Sequence, residues 1–217
     1  MPHKNIRLLI VILAAMSALT PLSIDMYLPA FPEIAVALDT KISLVELTIS
    51  IFFLGFACGQ FLGGPLSDHF GRRKIVLLGL GLFSFFSAVI FFSANIEFMI
   101  VARFFQAFSG GFFAVNCAAI VRDSFDEKEG ARVLSSVATL MMIAPMIAPL
   151  LGIIVMKLFG WSSIFAFLAI YSFLLLFACK YFLPIKASSA ERKSALSFGA
   201  VLRSYCSVLA HKEGRAY

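Results

Sequence analysis

Six runs of apolar residues, each long enough to cross a lipid bilayer, limit what this chain can become. They cover Leu8 to Pro29, Leu44 to Leu66, Ile75 to Ser93, Phe98 to Val121, Val133 to Leu158 and Ser162 to Leu183. Hydrocarbon offers no water to satisfy backbone N–H and C=O groups, so an unpartnered run crosses it only as an α-helix. Composition agrees, with 61% of the 217 residues apolar and 14% charged, against roughly 25% charged in a soluble domain. At roughly 20 to 22 apolar residues per span, the supply matches about six helices. The fold expected is all-α and integral to the membrane, with a six-helix transmembrane domain over 1–183 and a short polar segment over 184–217.

Charge sets the topology. The chain has eighteen basic and twelve acidic residues, a net +6, which a nucleic-acid-binding patch or membrane-orienting loops would both produce. Placing the N-terminus inside puts Lys4, Arg7, Arg72, Arg73, Lys74, Arg122, Lys128, Arg132, Lys180 and the basic residues beyond Pro184 on one side. Only Lys41 and Lys157 fall on the other face, and Arg103 lies within a span. The positive-inside rule therefore puts both termini in the cytoplasm, and no nucleic-acid partner is implied. Lys4 and Arg7 before an apolar run resemble a secretory signal, but the run continues past Ser17 to Leu28 and reads as an uncleaved first helix. The segment Phe31 to Ser43 is amphipathic and is expected to be a loop at the membrane surface. The remaining breaks are the polar stretch Ser67 to Lys74, a brief turn at Ala94 to Glu97, the charged stretch Arg122 to Arg132, and Gly160.

Several chemistries find no support. Cys58, Cys117 and Cys179 lie in apolar runs, Cys206 lies in the polar tail, and His3, His69 and His211 are far apart. These spacings suggest neither a disulfide framework nor a metal site. No paired acids, HExxH or nucleophile motif occurs within the spans, so an enzyme is not expected.

Two ionisable residues sit where hydrocarbon should exclude them. Asp25 lies about 17 residues beyond Leu8, roughly 25 Å from the cytoplasmic end, and Arg103 lies about five residues into the fourth span, roughly 8 Å from the outside. The two charges therefore occupy similar depths in the outer half. Each costs at least about 2.5 to 3.5 kcal/mol unless it faces water or finds a partner. A functional reading makes Asp25 a proton site whose affinity Arg103 modulates between conformations. A static ion pair, or an Asp25 that snorkels outward, would meet the same constraint.

The stretch Gly64-Pro65-Leu66-Ser67-Asp68-His69-Phe70-Gly71-Arg72-Arg73-Lys74 is the most informative in the chain. It reads as a loop in which Asp68, near the start of a helix, suits the positive end of the dipole and Arg72 can grip a carboxylate, an ionic latch at the cytoplasmic mouth. In the fifth span Pro145 and Pro149 each remove a helical hydrogen bond, and neighbouring alanines permit close approach of another helix. Gly55, Gly59 and Gly63 make a smooth strip on the second span, as packing faces do. The 25 phenylalanines with Met141, Met142 and Met146 could line an apolar cavity, although most must face lipid or other helices.

The Gly64 to Lys74 stretch resembles the GxxxD(R/H)xGRR signature of the major facilitator superfamily. Asp25-Met26-Tyr27-Leu28-Pro29 resembles the end of the first helix in its bicyclomycin- and chloramphenicol-resistance group of drug:proton antiporters. Arg103-Phe104-Phe105-Gln106-Ala107 resembles the RxxQG motif of the fourth helix, and Ala144-Pro145-Met146-Ile147-Ala148-Pro149-Leu150-Leu151-Gly152 the antiporter motif of the fifth. Departures are His69 where Arg is usual, Ala107 for a glycine, and Ala144 and Ala148 for glycines.

The resemblance implies that Asp25, Arg103 and Gln106 take part in proton coupling and substrate response. It implies that Gly64, Asp68, Gly71, Arg72 and Arg73 form a cytoplasmic gate, and that Pro145, Pro149 and Gly152 shape the interface between two halves. It further implies a multi-pass protein of the bacterial inner membrane that exports small amphipathic drug-like compounds against protons by alternating access. No cofactor is implied, the proton gradient being the driving force. Since the family pairs two six-helix halves, the chain is expected to be the N-terminal half, with 184–217 as a cytoplasmic linker towards a second half or with a homodimer in its place. A metabolite uptake permease and a non-transporting membrane partner protein are the alternatives.

Overall fold

A computed structural model describes residues 6–183. The predicted polar segment 184–217 lies outside them. The helices are α1 (Ile6–Asp25), α2 (Phe31–Ala37), α3 (Ile42–Phe70), α4 (Arg72–Phe91), α5 (Ile96–Ser124), α6 (Glu127–Met141), α7 (Ile143–Phe159) and α8 (Ser163–Phe182), with a single 3-10 turn at Leu28–Ala30. Among the described residues, six stretches are long and apolar enough to cross a membrane: Ile6–Ala37, Ile42–Phe70, Arg72–Phe91, Ile96–Ser124, Glu127–Phe159 and Ser163–Phe182. They correspond one for one to the six apolar runs.

Their ends depart from the sequence reading in instructive ways. The amphipathic segment after the first span is not a loop: Phe31–Ala37 is helical, and Phe31 and Ile34 are buried one turn apart. Pro29 and Pro32 fall in the first turns of the 3-10 turn and of α2, where the missing N–H has no helical partner to lose. The stretch Gly64 to Lys74 is not a loop either. Helix α3 runs through Pro65 to Phe70, and the chain turns only at Gly71, whose φ of 94° favours a residue without a Cβ. The charged stretch Arg122 to Arg132 is mostly helical and breaks only around Phe125 and Asp126, where the Asp126 side chain caps α6 by accepting from the Glu129 N–H at 2.9 Å. Asn95 caps α5 in the same way, accepting from the Phe98 N–H at 2.8 Å. The fifth span is divided at Met142 into α6 and α7, just before the proline-bearing segment whose N–H groups are missing.

Helix α5 is the most buried of the six spans and the α6–α7 stretch the least. The burial of α5 follows from glycine. Gly55 and Gly59 on α3 lie against the backbone carbonyls of Phe104 and Phe108, and a Cβ at Gly63 would stand 3.1 Å from the Phe112 Cα. On the other side of α5, a Cβ at Gly79 of α4 would meet the Ser109 carbonyl oxygen at 2.9 Å. The strip on the second span is thus a packing face, and it places α5 and its polar residues at the centre of the bundle. Long-range hydroxyl bonds tie the remaining spans, Ser84 of α4 donating to the Ala169 carbonyl at 2.8 Å and Tyr171 of α8 to the Ala15 carbonyl at 3.0 Å.

Candidate functional site

The polar core begins with Arg103, which α5 carries to full burial. Its Nη1 donates to the Gln106 Oε1 at 2.9 Å and to the Ser23 carbonyl oxygen at 3.3 Å. Gln106 Nε2 then donates to the Ser87 Oγ at 2.7 Å, and Ser87 donates to the Phe83 carbonyl at 2.7 Å. The three-residue spacing of Arg103 and Gln106 puts both on one face of α5, so the pairing is local. Arg103 Nε and Nη2 are buried without a hydrogen-bond acceptor among the described residues.

Aromatic faces surround the cation instead. The guanidinium carbon lies 4.6 Å from the Tyr27 ring centroid, 4.5 Å from that of Phe52 and 5.6 Å from that of Phe165. A desolvated cation–π contact contributes about 2 kcal/mol, so three such faces offset a substantial part of the cost of burying the charge. The cage is itself fixed. Thr48 donates to the Val45 carbonyl at 2.6 Å, so its single proton is committed and the Tyr27 hydroxyl donates to the Thr48 Oγ1 at 2.9 Å.

Asp25 is the last residue of α1 and is half-buried. No ion pair joins it to Arg103 or to any other cation among the described residues. The two charges that depth alone brought together are therefore not a static pair here: Arg103 is turned to rings and carbonyls, which a hydropathy argument cannot distinguish from a carboxylate.

At the α3–α4 turn Arg72 joins two acids. Its Nη2 lies 3.3 Å from the Asp68 Oδ1, and its Nε bonds the Asp123 carboxylate of α5. Asp68 stands at the C-terminal end of α3 and Arg72 opens α4, which corrects the expectation that Asp68 sits near a helix start. Because α3 persists to Phe70 and α4 begins straight after Gly71, each charge opposes its own helix dipole and the pair offsets both. Arg73 donates to the Lys180 carbonyl near the end of α8, a helix-terminal acceptor. Gly64 meets no neighbour within 4 Å at the Cβ position, whereas Gly71 makes the turn.

In the fifth span Ala144, Ala148 and Gly152 form one buried stripe, whereas Pro145 is exposed and Pro149 half-buried. A Cβ at Gly152 would stand 2.8 Å from both the carbonyl carbon and the Cα of Met26. Gly152 thus packs inside this bundle against the turn that follows Asp25, rather than on the face assigned to a second half. The reason is steric: only a hydrogen at position 152 lets α7 reach that backbone.

Sequence reasoning passed over Phe52, Phe165, Thr48, Ser23, Ser87, Asp123 and the Lys180 carbonyl. Asp123 carried a usable signal, an acid at the inner end of the span next to the basic signature. The others carried none, being ordinary residues for a membrane helix. Among the described residues no cluster of three His, Cys, Asp or Glu side chains is placed to hold a metal. A hollow of about 400 Å³ lies at the α5–α6 corner, lined by Arg122, Phe125, Asp126 and Leu134, far from Arg103.

Comparison with known proteins follows the same lines. Residues 13–211 match the Major Facilitator Superfamily. The Bacillus subtilis protein named "uncharacterized MFS-type transporter YdgK" is 36% identical over 95% of this chain and 52% of its own length. The bicyclomycin resistance protein homolog of Haemophilus influenzae is 32% identical over 99% of this chain and 54% of its own length. A multidrug resistance protein MdtL from a Shewanella species is 35% identical over 79% of this chain and 43% of its own length. The chain thus spans about half the length of these curated relatives. A crystal structure of the peptide transporter POT in complex with alafosfalin superposes with a TM-score of 0.68 at 18% identity, covering 93% of this chain and 44% of that one, a likeness of fold.

Proposed function

The chain belongs to the Major Facilitator Superfamily, and from that premise we propose that it is the N-terminal half of a proton-coupled drug exporter. Its substrates are small amphipathic drug-like compounds, a reading supported by relatives named for bicyclomycin resistance and multidrug resistance. Export against protons runs by alternating access, with a second six-helix half, or a second copy of this chain, completing the path. The protein resides in the bacterial inner membrane with both termini in the cytoplasm, where the basic loops belong. It is a carrier and not an enzyme.

The observation that carries this reading is a fully buried guanidinium with no carboxylate partner among the described residues, bonded to the carbonyl of Ser23 only two residues from Asp25. A cation kept in hydrocarbon without a counter-charge is a poor structural device and a good electrostatic one. Asp25 takes and releases the proton. Arg103 raises or lowers its proton affinity as the helices shift, favouring the carboxylate whenever it approaches. Gln106 holds the guanidinium on the α5 side. The Asp68–Arg72–Asp123 group, with Gly71 as its turn and Arg73 against the end of α8, is the latch of the cytoplasmic gate. Pro145 and Pro149 shape the bent fifth span.

The test is efflux driven by a pH gradient in efflux-deficient bacteria that express the chain with the half that completes it. Asp25→Asn is expected to reduce gradient-driven export at least tenfold at unchanged membrane abundance. Export by the Asn variant that still follows the pH gradient would overturn the proton role.

A further inference from the structure

The turn that ends α1 offers Arg103 two kinds of partner. Ser23 presents its carbonyl and Tyr27 its ring, while Asp25, between them in sequence, makes no ion pair among the described residues. A carboxylate is the stronger attractor for a buried guanidinium, so something must hold the cation on the rings. Tyr27 is the ring best fixed to do it. It is fully buried, and its hydroxyl bonds Thr48 of α3 at 2.9 Å. Its edges meet Phe31 at 4.8 Å and Phe165 at 5.5 Å. The preceding backbone, at Met26, is held against Gly152. The Thr48 hydroxyl is directed in turn by the Val45 carbonyl, which leaves its oxygen free to accept.

We propose that Tyr27, latched by Thr48, is a positioning residue that keeps Arg103 in the aromatic cage and away from Asp25. The proposal rests on the reading of Asp25 as the proton site. Breaking the latch frees the ring, lets the guanidinium reach the carboxylate, and lowers the pH at which Asp25 is half protonated, since a nearby cation favours the charged form. The other charged groups carried at this end of the bundle are Glu33 of α2, whose carboxylate accepts from the Trp161 N–H, Asp39 and Lys41 between α2 and α3, Glu46 of α3, Glu97 in the first turn of α5 and Lys157 in the last turn of α7. None of them belongs to the cage.

The experiment uses membrane vesicles holding the full chain and two chemical probes, each read by mass spectrometry. Dicyclohexylcarbodiimide, which reacts with protonated carboxyls in apolar surroundings, reports the titration of Asp25, and phenylglyoxal reports the accessibility of Arg103. Tyr27→Phe and Thr48→Val are expected to lower the Asp25 midpoint by about one pH unit, a tenfold loss of proton affinity, and to raise Arg103 modification severalfold. Thr48→Ser, which restores the acceptor, is expected to return both to the wild-type values, which a merely structural role would not require. If Asp25 titrates and neither probe moves in the variants, the latch is wrong. If Asp25 never titrates but Arg103 still becomes reactive on losing the latch, the latch stands and the proton-site reading falls.

Discussion

Two arginines of this chain answer the same problem in opposite ways. Arg103 is 0% exposed, holds no carboxylate among the described residues, and rests on three aromatic faces, one glutamine and one carbonyl. Arg72 keeps 29% of its side chain exposed and joins two carboxylates on two helices. The difference is one of dielectric. Where the side chains stay exposed, water already stabilises the charges, so an ion pair adds little. Inside the bundle each lost partner leaves a charge that nothing else can solvate, so the surroundings of Arg103 are rigid and specific.

Removing Gln106 should separate the two environments most sharply. Gln106→Leu strips Arg103 of its side-chain acceptor and leaves Ser87 without its donor. A loss of about 2 to 4 kcal/mol is expected, the range for removing one partner from a buried charged hydrogen bond. Unfolding in detergent, followed by emission of Trp161, the only tryptophan in the chain, measures it; a loss below that of Asp123→Asn would erase the contrast. A smaller effect is expected for Phe52→Leu, which keeps most of the volume but removes one face of the cage, about 1 to 2 kcal/mol by the same measurement. Asp123→Asn should cost least, at most about 1 kcal/mol, and its effect should fade as salt approaches 1 M, where charges are screened within about 3 Å. An Asp123→Asn effect that ignored salt would mean that the Arg72–Asp123 pair is less wetted than its exposure indicates.

The chain announces much of this locally. Spans are visible because hydropathy sums over neighbouring residues. The glycine strip at Gly55, Gly59 and Gly63 is visible because four-residue spacing puts all three on one face of a helix. The Arg103–Gln106 pair and the Asp68–Arg72 pair are visible for the same reason, each lying within one turn or across one short break. Helix ends are less legible: at Gly64 to Phe70 and at Arg122 to Ser124, polar residues suggest loops where the helices continue.

What the sequence determined by itself, then, is the membrane-spanning architecture, because hydropathy is written in the local order of residues along a helix, and the family that its motifs resemble. Only the tertiary structure decided who meets whom across helices. It turned Arg103 to Tyr27, Phe52 and Phe165 instead of Asp25, added Asp123 as the second acid on Arg72, and set Gly152 against Met26 inside the bundle. These contacts join residues tens of positions apart, and helix packing, which is settled by steric fit and by the solvation of each buried charge, has no signature in local order.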